Sequence, residues 1–340
     1  MSKTPYAIVH IPHSSRHIPV EYREQFVIPD RALEREKRLL TDAWTDEIFD
    51  IDDDMAEVIR FPVSRLLVDP ERMLDDSAEP MAAVGMGAFY SRCADGRLLR
   101  RELSWMERKK LLFRYYTPHH RTVDNAVKNA LSRYGQALII DCHSFPSSPL
   151  PCDTDRTSSR ADICIGTDPF HTPQWLIDSL VEDIGCRDLS WEINRPYVGT
   201  FVPEPYYRKN SSVYSIMLEL NRSLYMDEGT GRRKKGFRDF AGDIRELVDG
   251  LIAAEDNLHD RLIDEGEVIA YQDWDSGGPG AGAGQVSVCE YEGEYYILHD
   301  AGHSGPYQDM DKALRESGIT VNNEATREIV FLDGIKERRA

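Results

Sequence analysis

Residues 6–19 read YAIVHIPHSSRHIP: an apolar run of the kind that forms a buried strand leads straight into Pro12, His13, Ser14 and Ser15. The same design recurs in QALIIDCHS (136–144), ADICIGT (161–167) and YSIMLEL (214–220), each an apolar run that ends on charged or hydroxyl groups. Continuous apolar strands are buried on both faces, and here stretches of helical spacing lie between several of them. The pattern predicts an α/β fold with a mixed, mainly parallel sheet flanked by helices. In such sheets ligands sit at the carboxyl ends of the strands. His13, Asp141 to Ser144 and Glu219 all fall at such ends, so the fold is expected to gather them despite their distance in sequence.

The intervening segments fit that frame. DRALEREKRLLTDAWTDEIFDI (30–51) places Leu33, Leu39, Leu40, Ala43, Trp44, Ile48 and Phe49 mostly on one helical side. AEVIRFPVSRLLVD (56–69) reads as one or two strands. Residues 103–135 form a long helical stretch, interrupted near Pro118 and stopped at Gly135. After about residue 265 the character changes. SGGPGAGAG (276–284) reads as a flexible loop. Beyond it, 285–300 resembles a hairpin turning at Glu292-Gly293, 309–318 a short helix and 327–333 a last strand. The expected organisation is a catalytic domain over 1–265, a Gly-rich linker over 266–285 and a small C-terminal α+β module over 286–340.

Composition limits the function classes. Of the 340 residues, 41% are apolar and 29% charged, as in ordinary globular proteins. A net charge of −18 argues against nucleic acid or an anionic membrane as partner, and Arg232 to Lys235 read as a solvated surface patch. No apolar run approaches a membrane span and no export signal opens the chain, so a cytoplasmic location is expected. The six cysteines include no C-x-x-C pair and read as free thiols.

Two histidines at strand ends, plus one carboxylate, are the ligand set of an open zinc site. His13 and His143 supply the imidazoles; Asp42 and Asp46, four residues apart on a helical pattern, are the carboxylate candidates. A metal held there makes hydroxide available near neutral pH. Glu219 alternates with Leu218 and Leu220 and is left as an acidic group in apolar surroundings, either a general base or the partner of Arg222. His10 and His17 read as ordinary hydrogen-bonded histidines. His119 and His120 follow the helix interruption and read as outer contacts of the site or as a solvated corner.

The segments IPHSSRHIP, TDAWTDEIF, LLVDPER, YYTPHH, IIDCHSFP, ADICIGT, NRPYVGTFV and IMLELNRSLYM occur in this order. Together they resemble the N-formylglutamate amidohydrolase family, over roughly residues 6–250. The resemblance implies a phosphorylase/hydrolase-like fold related to zinc carboxypeptidases and a single divalent metal, zinc. It implies His13 and His143 as metal ligands with Asp42 preferred over Asp46, and Glu219 as general base. Arg72, with Arg222 second, is expected to hold a substrate carboxylate. Ser14, Asn194 and His120 are the further substrate contacts, and Asp141 the group that orients a ligand histidine. Two departures stand out: Glu71 in Asp69-Pro70-Glu71-Arg72, where the family commonly has Asn, and Tyr197 to Thr200 in place of Phe-x-Gly-Gly. The expected reaction is hydrolysis of a small acidic N-acyl amino acid such as N-formylglutamate. The alternatives are a zinc peptidase or amidase acting on peptides or cell-wall fragments, and a non-catalytic protein that binds a small acidic ligand.

Overall fold

A computed structural model describes residues 6–264, 266–275, 283–291, 294–299, 302–307, 310–317 and 330–331. The chain divides into two units, 1–252 and 253–340. In chain order the first unit carries β1 (Ala7–Ile11), α1 (Asp30–Leu40), α2 (Thr45–Ile48), β2 (Ala56–Arg60), α3 (Trp105–Leu111), α4 (Thr117–Tyr134), β3 (Ala137–Phe145), β4 (Ile163–Gly166), α5 (Gln174–Gly185), β5 (Trp191–Ile193) and β6 (Val213–Asn221). A short hairpin, β7 (Met226–Asp227) with β8 (Arg232–Arg233), follows. The helix α6 (Phe237–Asp264) contains the division between the units.

The central sheet has the order β2-β1-β3-β6-β4-β5. Strands β2, β1, β3 and β6 pair in parallel, and β4 runs antiparallel to β6 with β5 parallel to β4. The sheet is thus mixed and mainly parallel, as the apolar runs require. Every residue of β3 and β6 is buried, which explains why both read as near-continuous hydrophobic runs.

One sheet face changes chemistry along the strands. At its start Ile8, Ile139 and Val213 pack with Val123, Ala126, Val127 and Ala130 of α4. Residues two apart share a face, so the same face continues as His10 on β1, Asp141 and His143 on β3, and Glu219 on β6. The register sets His10 beside Asp141 and His143 beside Glu219. Apolar burial at one end of the face therefore anchors the ionisable groups at the other, each buried apolar side chain contributing about 1.5–3 kcal/mol.

One local reading is corrected and two are made specific. The helical pattern over 30–51 is split at Thr41–Trp44: Trp44 adopts a left-handed conformation (φ 71°), and the Asp42 amide donates to the His13 carbonyl at 3.0 Å. Asp42 therefore lies in a tight connection and does not share a helix face with Asp46. The interruption of the 103–135 helix is a π-helical turn at Leu112–Tyr116, ahead of Pro118; that proline sits in the first turn of α4, where its missing N–H costs little. Of residues 56–69 only β2 is a strand.

The second unit holds β9 (Glu267–Asp275), β10 (Ala283–Tyr291), β11 (Glu294–His299), β12 (Gly302–Tyr307), α7 (Met310–Glu316) and β13 (Val330–Phe331). Its antiparallel sheet has the order β12-β11-β10-β9-β13, with Val288, Ile297, Ala313 and Leu314 as core. β10 and β11 pair as the expected hairpin, whose turn at 292–293 lies outside the described residues. Where a linker was expected over 266–285, residues 267–275 form β9, paired with β10; residues 276–282 lie outside the described residues. Val268, Ile269, Tyr271 and Trp274 of EVIAYQDWD favour a strand that the following glycines obscured in the sequence.

Candidate metal centre

Three ligand atoms converge at the carboxyl ends of β1 and β3. His13 Nδ1 lies 3.3 Å from His143 Nδ1; Asp42 Oδ2 lies 3.1 Å from His143 Nδ1 and 3.7 Å from His13 Nδ1. All three side chains are buried. Zinc–nitrogen and zinc–oxygen bonds of about 2.0–2.2 Å in a tetrahedron separate neighbouring ligand atoms by about 3.3–3.6 Å. The sides of the triangle, 3.1, 3.3 and 3.7 Å, bracket that range.

The opposite ring nitrogens have fixed employment. His13 Nε2 donates to Asp69 Oδ1 at 2.9 Å, and His143 Nε2 to Asp141 Oδ1 at 3.1 Å. A carboxylate on the far nitrogen sets the tautomer that leaves Nδ1 bare. Asp69 is itself held by Arg65, through Nε and Nη2 at 3.1 and 2.9 Å, and by the Tyr90 hydroxyl at 2.9 Å. Asp141 Oδ2 accepts the Phe201 amide at 3.0 Å.

A second grouping uses the Nε2 side: Glu71 Oε2 lies 3.5 Å from His13 Nε2 and 3.3 Å from His143 Nε2. Those nitrogens already donate to Asp69 and Asp141, whereas the two Nδ1 atoms face each other and Asp42. Among the described residues, no hydrogen bond or ion pair joins Asp46 to either imidazole.

The electrostatics call for a positive charge. Burial and Arg65 push the His13 pKa down, yet Asp69, Glu71 and Asp42 reverse this and hold it above the usual value. Burial lowers His143 as well, and Glu71, Asp141 and Asp42 raise it well above its usual range. Asp42 would be pushed up by burial, but hydrogen bonds from both histidines and the Arg222 charge hold it well below the normal carboxylate range. Asp69 is depressed in the same way by Arg65 and His13, against burial. At both buried imidazoles the neighbouring carboxylates outweigh burial, so the pocket favours positive charge.

Glu219 behaves differently. Its Oε2 is buried with no hydrogen-bond partner, and burial carries its pKa up to about 8, with His143 opposing and Asp42 adding to the rise. Arg222 does not neutralise it. That guanidinium donates Nη2 to Asp42 Oδ1 at 2.9 Å and to the Ser144 carbonyl at 2.9 Å, Nε to Ser144 Oγ at 3.1 Å and Nη1 to the Leu39 carbonyl at 2.6 Å. Arg222, expected second to Arg72 as a substrate contact, has its fork occupied by these protein groups.

The other expected contacts divide. Arg72 Nε is buried with no hydrogen-bond partner and lies 3.9 Å from Asp69 Oδ2. His120 Nε2 donates to the Pro70 carbonyl at 2.8 Å and stacks on Tyr116. Asn194 is occupied within its own loop: Nδ2 donates to Thr167 Oγ1 and Oδ1 accepts the Thr167 and Gly199 amides. Ser14 is half-buried next to His13. Asp69 and Arg65 belong to the cluster without any signal read from the sequence, His10 joins it although it reads as an ordinary histidine, and Glu71 and His119 join it as a family departure and an expected outer contact; Asp69, at the end of an apolar run, carries the same signal as Asp141.

The sequence profile of the family described as N-formylglutamate amidohydrolase matches residues 6–226. The chain belongs to the N-formylglutamate amidohydrolase family. An N-formylglutamate deformylase of Pseudomonas aeruginosa is 28% identical over 235 residues, 66% of this chain and 86% of that protein. One of Pseudomonas putida is 23% identical over 227 residues, 65% of this chain and 82% of that protein. The crystal structure of N-formylglutamate amidohydrolase from Ralstonia eutropha superposes with a TM-score of 0.63 at 23% identity, over 74% of this chain and 93% of that one. A structure from Agrobacterium tumefaciens gives 0.51 at 18% identity, over 74% and 91%. Both likenesses bear on the fold, and family membership accounts for the order of the motifs along the first unit.

Proposed function

We propose that this member of the N-formylglutamate amidohydrolase family hydrolyses the amide of a small N-acyl amino acid, with N-formylglutamate as the substrate of reference. His13 Nδ1, His143 Nδ1 and Asp42 Oδ2 would hold one divalent metal, and the nitrogen-rich donor set favours zinc. Bound there, the ion supplies a Lewis acid for the scissile carbonyl and hydroxide near neutral pH. Asp69 and Asp141 keep both imidazoles in the ligating tautomer, and Arg222 anchors the far oxygen of Asp42. Glu219 takes the proton of the attacking water and returns one to the leaving nitrogen. Arg72, whose Nε makes no hydrogen bond within the protein, would receive a substrate carboxylate.

The observation that carries this reading is the triangle of His13, His143 and Asp42 on a sheet face that also presents the unpartnered carboxylate of Glu219. The named activity of the Pseudomonas relatives agrees with it. A panel of N-formyl-glutamate, other N-formyl and N-acetyl amino acids and short peptides, run on zinc-loaded protein of measured metal content, tests it. Turnover is expected for the N-formyl acidic substrate. Stoichiometric zinc with cleavage of peptides alone would replace the proposal with a peptidase.

A further inference from the structure

The ionisable face of the sheet extends past the metal centre into the core. His143 Nε2 meets Asp141 Oδ1 at 3.1 Å; His10 Nδ1 meets the same oxygen at 3.0 Å; His10 Nε2 meets His119 Nε2 at 2.9 Å. All four side chains are buried, His10 completely. Phe201 lies on His10 with ring centres 4.5 Å apart, and Phe61 meets His119 edge-on at 5.0 Å. His119 reaches this place because the π-helical turn at 112–116 precedes the first turn of α4, and Val123, Val127 and Ala130 continue its helix face against the sheet.

We infer that His10 and His119 are positioning residues that act through Asp141 to keep His143 Nδ1 bare and aimed at the metal position. The inference rests on the metal reading given above. The Asp141 oxygens are surrounded by the Phe201 amide, His10 Nδ1 and His143 Nε2, and carboxylate oxygens accept, so these three groups are the donors. With Nδ1 donating to Asp141, His10 presents Nε2 as the acceptor for His119 Nε2–H, 2.9 Å away. Burial keeps His119 uncharged, with its pKa down at about 2, so it has a single proton to give. The row thus runs one way, from His119 through His10 and Asp141 to His143. Losing the outer donor leaves His10 Nε2 buried and unpaired, which frees the ring to take its proton on Nε2 and deprive Asp141 of a donor.

The test is the Zn²⁺ dissociation constant of the full chain, measured by competition with a chromophoric chelator, beside the melting curve of each metal-free variant. His119→Leu is expected to weaken zinc binding about 10-fold or more, as outer partners of ligand histidines do. His119→Gln, which keeps an N–H donor, is expected to recover most of the loss. The double variant His10→Leu/His119→Leu is expected to bind no more weakly than His10→Leu alone, because one effect passes through the other. Should His119→Leu not fold, His119→Asn, with a shorter amide, replaces it. Wild-type affinity in folded His119→Leu, equal loss in the Gln and Leu variants, or full additivity in the double variant would each overturn the inference. Failure of the wild type to bind zinc, or full occupancy in His143→Ala, strikes the metal reading itself and is told apart by those two controls.

Discussion

Arg222 donates Nη2 to Asp42 Oδ1 at 2.9 Å, and the other oxygen of Asp42 stands 3.1 Å from His143 Nδ1. One carboxylate is thereby divided between a buried guanidinium and the imidazole pair. Arg222→Met removes one partner of a buried ion pair and is expected to cost about 3–5 kcal/mol of stability, because Asp42 is left with uncompensated charge. Urea unfolding of the metal-free protein measures it. A loss below about 1 kcal/mol would show that Arg222 is not what holds Asp42.

Glu219→Gln keeps the shape of the side chain and removes its basicity. Zinc content is expected to stay stoichiometric by elemental analysis while kcat falls by about 10²–10⁴-fold, the usual contribution of a positioned acid–base group. Turnover within tenfold of wild type would take Glu219 out of the chemistry.

Arg72 and Glu71 should act with opposite signs on an anionic substrate. Arg72→Ala is expected to raise KM for N-formylglutamate at least 10-fold, with a much smaller effect on an uncharged N-formyl amine. Glu71→Asn, which deletes a negative charge 3.3 Å from His143 Nε2, is expected to lower KM for the same acidic substrate severalfold. Equal effects of Arg72→Ala on charged and uncharged substrates would remove the clamp from the proposal.

His119 makes a pH prediction. Its pKa is about 2 in the folded chain against 6.5 for an ordinary histidine, because burial disfavours the charged ring and neighbouring histidines oppose it further. The unfolded chain therefore binds the proton more readily. The contribution is complete above pH 6.5 and is lost as pH falls below it, at up to about 1.4 kcal/mol per unit. Metal-free wild type should thus lose about 2 kcal/mol more than His119→Gln between pH 6.5 and 5. Parallel urea-unfolding stabilities of the two proteins over that range would contradict the assignment.

Much of the architecture was legible because it rests on local periodicity. Fully buried β3 and β6 announce themselves as apolar runs, and the polar residues that end them lie where parallel strands present ligands. The helix over 30–51 misled because its apolar spacing continues through 41–44, while the backbone turns there to bond Asp42 to His13. Glycines 277–284 similarly masked β9 just before them.

The sequence alone determined the buried strands β1, β3, β4 and β6 and that His13, His143 and Glu219 stand at such strand ends, since apolar runs and burial are properties of neighbouring residues. Only the tertiary structure decided which partner each side chain takes: Asp42 over Asp46 at the imidazoles, Arg222 on Asp42 instead of Glu219, and Asp69, His10 and His119 behind the ligands. Those choices depend on how the connections 41–44 and 61–72 and the first turn of α4 close onto the sheet. A hydrogen bond selects its partner by distances of a few ångströms across segments remote in the chain, and no local pattern encodes that closure.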